Sequence, residues 1–198
     1  MVMLAGLALA PQLAAGAEPD PDWPCVQVLV PTLAASQLWA GPPLGVTQDV
    51  PADPRRAALA YQLASRATPL PQAEQAVDRF ADGLAAQDRD AELTGLFHEV
   101  LALINQQRSE IIAGIKRYTR KQRRLADKIA QDNRRLAGLQ PGTVPDAETA
   151  ELLNERQWDL RVFEDRQHVL RQICEQPVLL DQRAFAVSRI VQARLAPD

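Results

Sequence analysis

From Leu93 onward the apolar residues recur at steps of mostly three and four: Leu93, Phe97, Val100, Ile104, Ile111, Ile115, Tyr118, Leu125, Ile129 and Leu136. No proline interrupts the stretch from Asp88 to Leu139. A stripe of this period on an otherwise polar segment predicts an amphipathic helix over 89–139. A second stripe, Leu152, Leu160, Phe163, Leu170, Ile173, Leu180, Val187 and Val191, predicts another over 146–196, kinked or split at Pro177. Between them lies Gln140-Pro141-Gly142-Thr143-Val144-Pro145, a run of breakers. The spacing from Thr143 to Asp146, with Pro145, suits the start of the second helix. Neither helix hides its stripe alone, so the chain is expected to double back. The predicted fold is all-α: a long antiparallel, coiled-coil-like hairpin with residue i opposite about 286 − i. That register sets Leu125 near Leu160, Tyr118 near His168, Ile111 near Cys174 and Pro177 opposite Ser109. Steps of four through Gln107, Ile111 and Ile115 read as a stutter that relaxes the supercoil. Each arm would be about 70 Å long, and the distal half, poor in bulky apolar residues, would project as a two-helix tongue.

Two shorter helical patterns precede the hairpin. Asp53-Pro54 pairs an N-cap acceptor with proline at the first helical position and predicts a helix over 54–66, with Leu59 and Leu63 inward. Thr68-Pro69-Leu70-Pro71 ends it, and Val77, Phe80 and Leu84 place a second helix over 71–86. These two are expected to form a short bundle at the open end of the hairpin, within one helical domain over 53–198. Residues 18–52 read differently. Trp23-Pro24-Cys25-Val26-Gln27-Val28-Leu29-Val30-Pro31 alternates and stays extended, and Pro31 is expected to open a short helix through Leu33, Leu38 and Trp39, stopped by Gly41-Pro42-Pro43. The expectation is a lasso laid across the helical body, anchored by Trp23 and Trp39. A partner-binding arm is the sharper alternative.

Composition places the chain in a compartment. Residues 1–17 hold an apolar run followed by Ala15-Gly16-Ala17, and the composition turns acidic at Glu18-Pro19-Asp20-Pro21-Asp22. This reads as a signal peptide with a small-x-small cleavage pattern, although a positively charged leading region is missing. A retained weak anchor is the alternative. Export favours pairing the only two cysteines, Cys25 and Cys174, in a bridge across nearly the whole chain. There is no Cys-x-x-Cys, and no histidine flanks either one.

A net charge of −3 conceals segregation. Lys116, Arg117, Arg120, Lys121, Arg123, Arg124, Lys128, Arg134 and Arg135 crowd one arm, opposed locally by Asp127 and Asp132 alone. Asp146, Glu148, Glu151, Glu155, Asp159, Glu164 and Asp165 lie on the facing arm. The plain reading is pairing across the hairpin. The sharper one is a surface for an acidic protein or an anionic lipid surface, with Arg117, Arg120, Arg124 and Lys128, plus Trp39 on the lasso, as contact residues. Nucleic acid fits poorly, because the chain is acidic overall and Tyr118 is the one aromatic beside the basic run.

Catalytic patterns do not rise above background. His98 and His168 would lie roughly 30 Å apart by helix rise, too far to share a metal. No serine or threonine joins a histidine in a nucleophile motif, and there is no Gly-rich phosphate loop and no Glu-x-x-His pair. The expectation is a non-enzymatic protein with no cofactor and no metal.

The segments Asp22-Trp23-Pro24-Cys25-Val26-Gln27, Trp39-Ala40-Gly41-Pro42 and Cys174-Glu175-Gln176-Pro177-Val178-Leu179-Leu180 resemble those of an uncharacterised family of exported proteobacterial proteins. The resemblance implies the periplasm of a Gram-negative cell and brings no activity with it. Periplasmic chaperones that grip clients with basic helical tentacles need a β-sheet body with no counterpart here. The helical-hairpin chaperones marked by Leu-Thr-x-x-Gln repeats are matched only at Leu93-Thr94, without the glutamine. The functional expectation is an adaptor or accessory subunit of an envelope complex with a protein partner. An ATP-independent chaperone is the alternative, and pairing with a second copy is open.

Overall fold

A computed structural model describes residues 20–44, 52–138 and 146–196. The expected signal peptide and the turn at Gln140–Pro145 lie outside these residues. Four helices make up the body: α1 Pro54–Ala64, α2 Leu70–Asp82, α3 Arg89–Ala137 and α4 Ala147–Gln192. There is no strand among the described residues. α3 packs along α4, α1 lies on α3 and α2 on α4.

Local chemistry sets the helix ends. The Asp53 carboxylate accepts the Arg55 N–H at 2.8 Å, and Pro54 fills the first turn of α1. Asp146 caps α4 in the same way, accepting the Thr149 N–H at 2.8 Å. α1 stops at Ala64, two residues short of expectation, because Ser65 is extended. α2 stops at Asp82 rather than 86, with Gly83 as its C-cap. The short helix expected from Pro31 shrinks to a single 3-10 turn, Ala35–Gln37. Leu33 is instead pulled onto α3, where Asn105 takes both its N–H and its carbonyl, at 2.9 and 3.1 Å.

Pro177 neither ends nor splits α4. It is buried at the front of the inward row Leu180, Ala184, Val187 and Val191, so packing outweighs the one missing hydrogen bond. Side chains gather around the disturbed turn. Gln27 of the lasso donates to the Cys174 carbonyl, and Arg108 of α3 donates to the Pro177 carbonyl at 2.9 Å.

The arms run antiparallel in the expected register. The Tyr118 hydroxyl donates to the Arg166 carbonyl at 2.9 Å, and the Gln122 amide to the Phe163 carbonyl at 3.2 Å. Lys128 meets Asp159 at 2.5 Å. Each partner sits within about two positions of the doubled-back spacing. The Tyr118 contact is therefore with the Arg166 main chain; the His168 ring instead meets Arg171 at 2.9 Å. At its 49 residues α3 is about 73 Å long.

The apolar core sits at one end. Leu59 and Leu63 of α1, Val77 of α2, Leu93, Leu96, Phe97, Val100 and Ile104 of α3, and Leu180, Val187 and Val191 of α4 form one cluster. Buried cations seal its edges. Arg56 reaches from α1 to Glu92 at 2.7 Å and Glu99 at 2.8 Å. Arg183 of α4 donates to the Leu63 and Thr68 carbonyls, at 2.6 and 2.8 Å, and so closes the carbonyl end of α1 without any carboxylate. Burial holds its guanidinium below the usual arginine range.

Candidate interaction surface

The lasso lies along α3 and descends toward the core. Asp20 meets Lys116, the Val30 carbonyl accepts from Arg108 at 2.6 Å, Leu33 meets Asn105, and Trp39 stacks on Phe97 at 4.6 Å with the rings 10° apart. Cys25 and Cys174 are bonded, tying this strap to α4. The Trp39 indole N–H donates to the Pro42 carbonyl at 2.8 Å. Gly41 passes so close that a Cβ there would meet Trp39 ring carbons at 2.7 Å and Leu195 at 2.6 Å, so no side chain fits. Trp39, named from the sequence as a partner contact, is thus an anchor packed on the core cluster. Trp23 is half-buried and donates to the Gln27 carbonyl at 2.7 Å.

Arg108 is the junction of strap and hairpin. It is 2% exposed, and its guanidinium joins Val30 of the lasso to Pro177 and Asp181 of α4. Burial lifts the Asp181 carboxyl above its ordinary range, against the pull of Arg108. Sequence reasoning missed Arg108. The available signal was its position four residues past Ile104, on the inward stripe. An arginine there must find acceptors.

The basic run of α3 divides in two. Lys116 pairs with Asp20 at 2.7 Å, Arg120 with Asp22 at 2.6 Å, and Arg123 with both Asp22 and the Pro21 carbonyl, the latter at 3.2 Å. The strap's acidic head therefore covers one flank of the helix. Nearer the tip, Lys128 gathers Asp159 at 2.5 Å, Glu155 at 2.8 Å and Asp132 at 3.4 Å. Hydrogen bonds to Asp159 first, and to Glu155 next, hold its ammonium well above the usual lysine range. Arg135 faces Glu148 at 3.7 Å. Of the named contact residues, Arg120 and Lys128 are thus engaged within the chain. Arg117 and Arg124 are exposed and make no ion pair among the described residues, and Lys121 is like them.

A second feature lies beside the disulfide. Val26 and Val28 of the strap stand out from the body, and Val26, with Leu170, Val178 and Leu179 of α4, borders an open groove of about 700 Å³. Among the described residues no group of three His, Cys, Asp or Glu side chains is placed to hold a metal, and no helix is long and apolar enough to cross a membrane. Compared with known proteins, the chain matches no family model, no curated protein and no solved structure.

Proposed function

We propose that this chain is a non-enzymatic interaction protein of the periplasm, an adaptor or accessory subunit that presents its hairpin to a protein partner. The observation that carries the reading is the open row Arg117, Lys121 and Arg124. Cations one turn apart on one helix face repel one another, and among the described residues no ion pair offsets that cost. An anionic partner would. The bonded cysteines and the export-like residues 1–17 favour an oxidising compartment. The test is capture of crosslinked partners from native envelopes by the exported protein and by a variant carrying Arg117→Glu, Lys121→Glu and Arg124→Glu. The expected result is a discrete partner lost on charge reversal. An identical set from both proteins overturns the reading.

A second reading, an ATP-independent chaperone, is favoured by the groove at Val26, Leu170, Val178 and Leu179 and by the exposed Val28 beside Val26 on the strap. Apolar side chains standing in solvent suit unfolded clients. Aggregation of a denatured model protein would then be suppressed without ATP, and Val26→Asp with Val28→Asp would abolish the effect. No suppression at several-fold molar excess removes this reading.

A further inference from the structure

The engaged and the open cations of α3 repeat one another. Lys116, Arg120 and Arg123 are spaced four and then three residues apart; Arg117, Lys121 and Arg124 carry the same spacing one residue later. One residue turns a helix by about 100°, so the two triads occupy two flanks of α3 at the same height. The chain itself displays what the first triad takes. Asp20-Pro21-Asp22 lies on it as a tight turn, closed by the Trp23 N–H on the Asp20 carbonyl at 2.9 Å. Its two carboxylates, two residues apart, meet cations one helical turn apart. Arg123 takes the Asp22 carboxylate and, at 3.2 Å, the Pro21 main-chain carbonyl. A guanidinium shared between a carboxylate and a peptide carbonyl reads a polypeptide, which a lipid headgroup or a free phosphate does not supply.

We propose that the open triad Arg117, Lys121 and Arg124 binds an acidic peptide of the partner, with carboxylates two residues apart, in the manner shown by the protein's own Asp20-Pro21-Asp22. This rests on the adaptor reading and names the chemistry of its partner. Two flanks of one helix would then be clasped by two acidic segments, one internal and one supplied in trans.

The test uses the oxidised full chain and a fluorescent peptide of sequence Glu-Pro-Asp-Pro-Asp, read by anisotropy at low salt. The expected result is one bound peptide per chain. Arg117→Glu with Arg124→Glu should weaken it about tenfold or more, roughly what two lost surface pairs are worth. The variant's helical circular dichroism should be unchanged, since both side chains point into solvent. Asp20→Asn with Asp22→Asn should raise the stoichiometry to two, because the first flank is vacated. A peptide of the same composition with its carboxylates adjacent should bind several-fold more weakly. Equal binding of both peptides, or a stoichiometry fixed at one after Asp20→Asn and Asp22→Asn, overturns the proposal. So does binding to vesicles of phosphatidylglycerol and phosphatidylcholine with none to peptide. If the peptide fails while envelope capture still depends on the same three residues, the peptide chemistry falls and the adaptor reading stands. If capture fails as well, both fall.

Discussion

The two ends of the hairpin are held together by different physics. At the base, α3 and α4 meet through Phe97, Val100, Ile104, Leu180 and Val187, with two more helices and a disulfide-bonded strap around them. Toward the tip the same two helices meet through Tyr118 and Gln122 on main-chain carbonyls and Lys128 among three carboxylates, with Ile129 as the lone buried aliphatic among the described residues there. Apolar burial is strong and non-directional, and it is not screened by salt as ion pairs are. Half-exposed ion pairs are weak and screened, but they fix which residues face each other. The base therefore supplies stability, and the tip sets how the two arms face each other.

Loss of the strap should have the largest effect. Cys25 and Cys174 are 149 residues apart, and chain-entropy arguments assign a bridge of that span about 4–5 kcal/mol. Denaturant unfolding of oxidised and reduced protein should differ by several kcal/mol, with protease reaching the strap first. Indistinguishable midpoints would mean the strap contributes nothing to the base. Core truncation comes next. Phe97→Ala should cost about 4 kcal/mol, while Ile129→Ala in the tongue should cost about 2 kcal/mol, because a two-helix seam relaxes around the gap. Equal costs would break the contrast between the two ends.

Arg108→Ala should cost about 3 kcal/mol, since the Val30 and Pro177 carbonyls and Asp181 lose their common donor. Arg108→Lys should not restore it, because an ammonium lacks the planar fork that reaches three acceptors. Full rescue by lysine would show that charge alone is needed there.

The hairpin was legible because period and breakers agree over a long span: Leu93 to Leu136 on one arm and Leu152 to Val191 on the other, with the proline-flanked Gly142 between. The same pattern fixed the register to within a few residues. Pro177 does not split α4, because a local rule about one hydrogen bond cannot weigh the packing of Leu180, Ala184 and Val187 beyond it. Trp39 carried two readings, anchor and partner contact, because an aromatic in a proline-rich arm reads the same in both; its stacking on Phe97 fits the anchor. Of the basic run, the sequence identified the charges but not their division. That division depends on Asp20 and Asp22 folding back across roughly a hundred residues of chain, which no local spacing encodes.

Lys128→Met tests the tip directly. The Lys128 side chain is 42% exposed, so screening limits its three pairs to about 1 kcal/mol or less in global stability. The effect should appear locally, as faster amide exchange around Ile129 and Leu160, with the Phe97 region unchanged. Exchange that quickens equally at both ends would mean the hairpin opens as one unit.

Acidification should produce the smallest effect and separate the two ends most cleanly. Backbone and side-chain hydrogen bonds from Thr149 hold the Asp146 carboxyl below its ordinary range, and the Arg55 side chain and N–H do the same for Asp53. A carboxyl whose folded value is depressed adds stability that is fully present above its unfolded value, about 3.9, and is lost as pH falls through the folded value. Both caps should therefore weaken below about pH 4. At α1 the first turn is backed by Leu59 and Leu63, so the helix should stay closed. At α4 the first turn has no buried residue behind it. The Ala150 amide, on the Asp146 main-chain carbonyl, should lose protection as pH falls below about 4, after correction for intrinsic exchange, while the Ala57 amide, on the Asp53 carbonyl, keeps its own. If both amides open together, the cap rather than the core governs each helix start, and the tip is no more loosely held than the base.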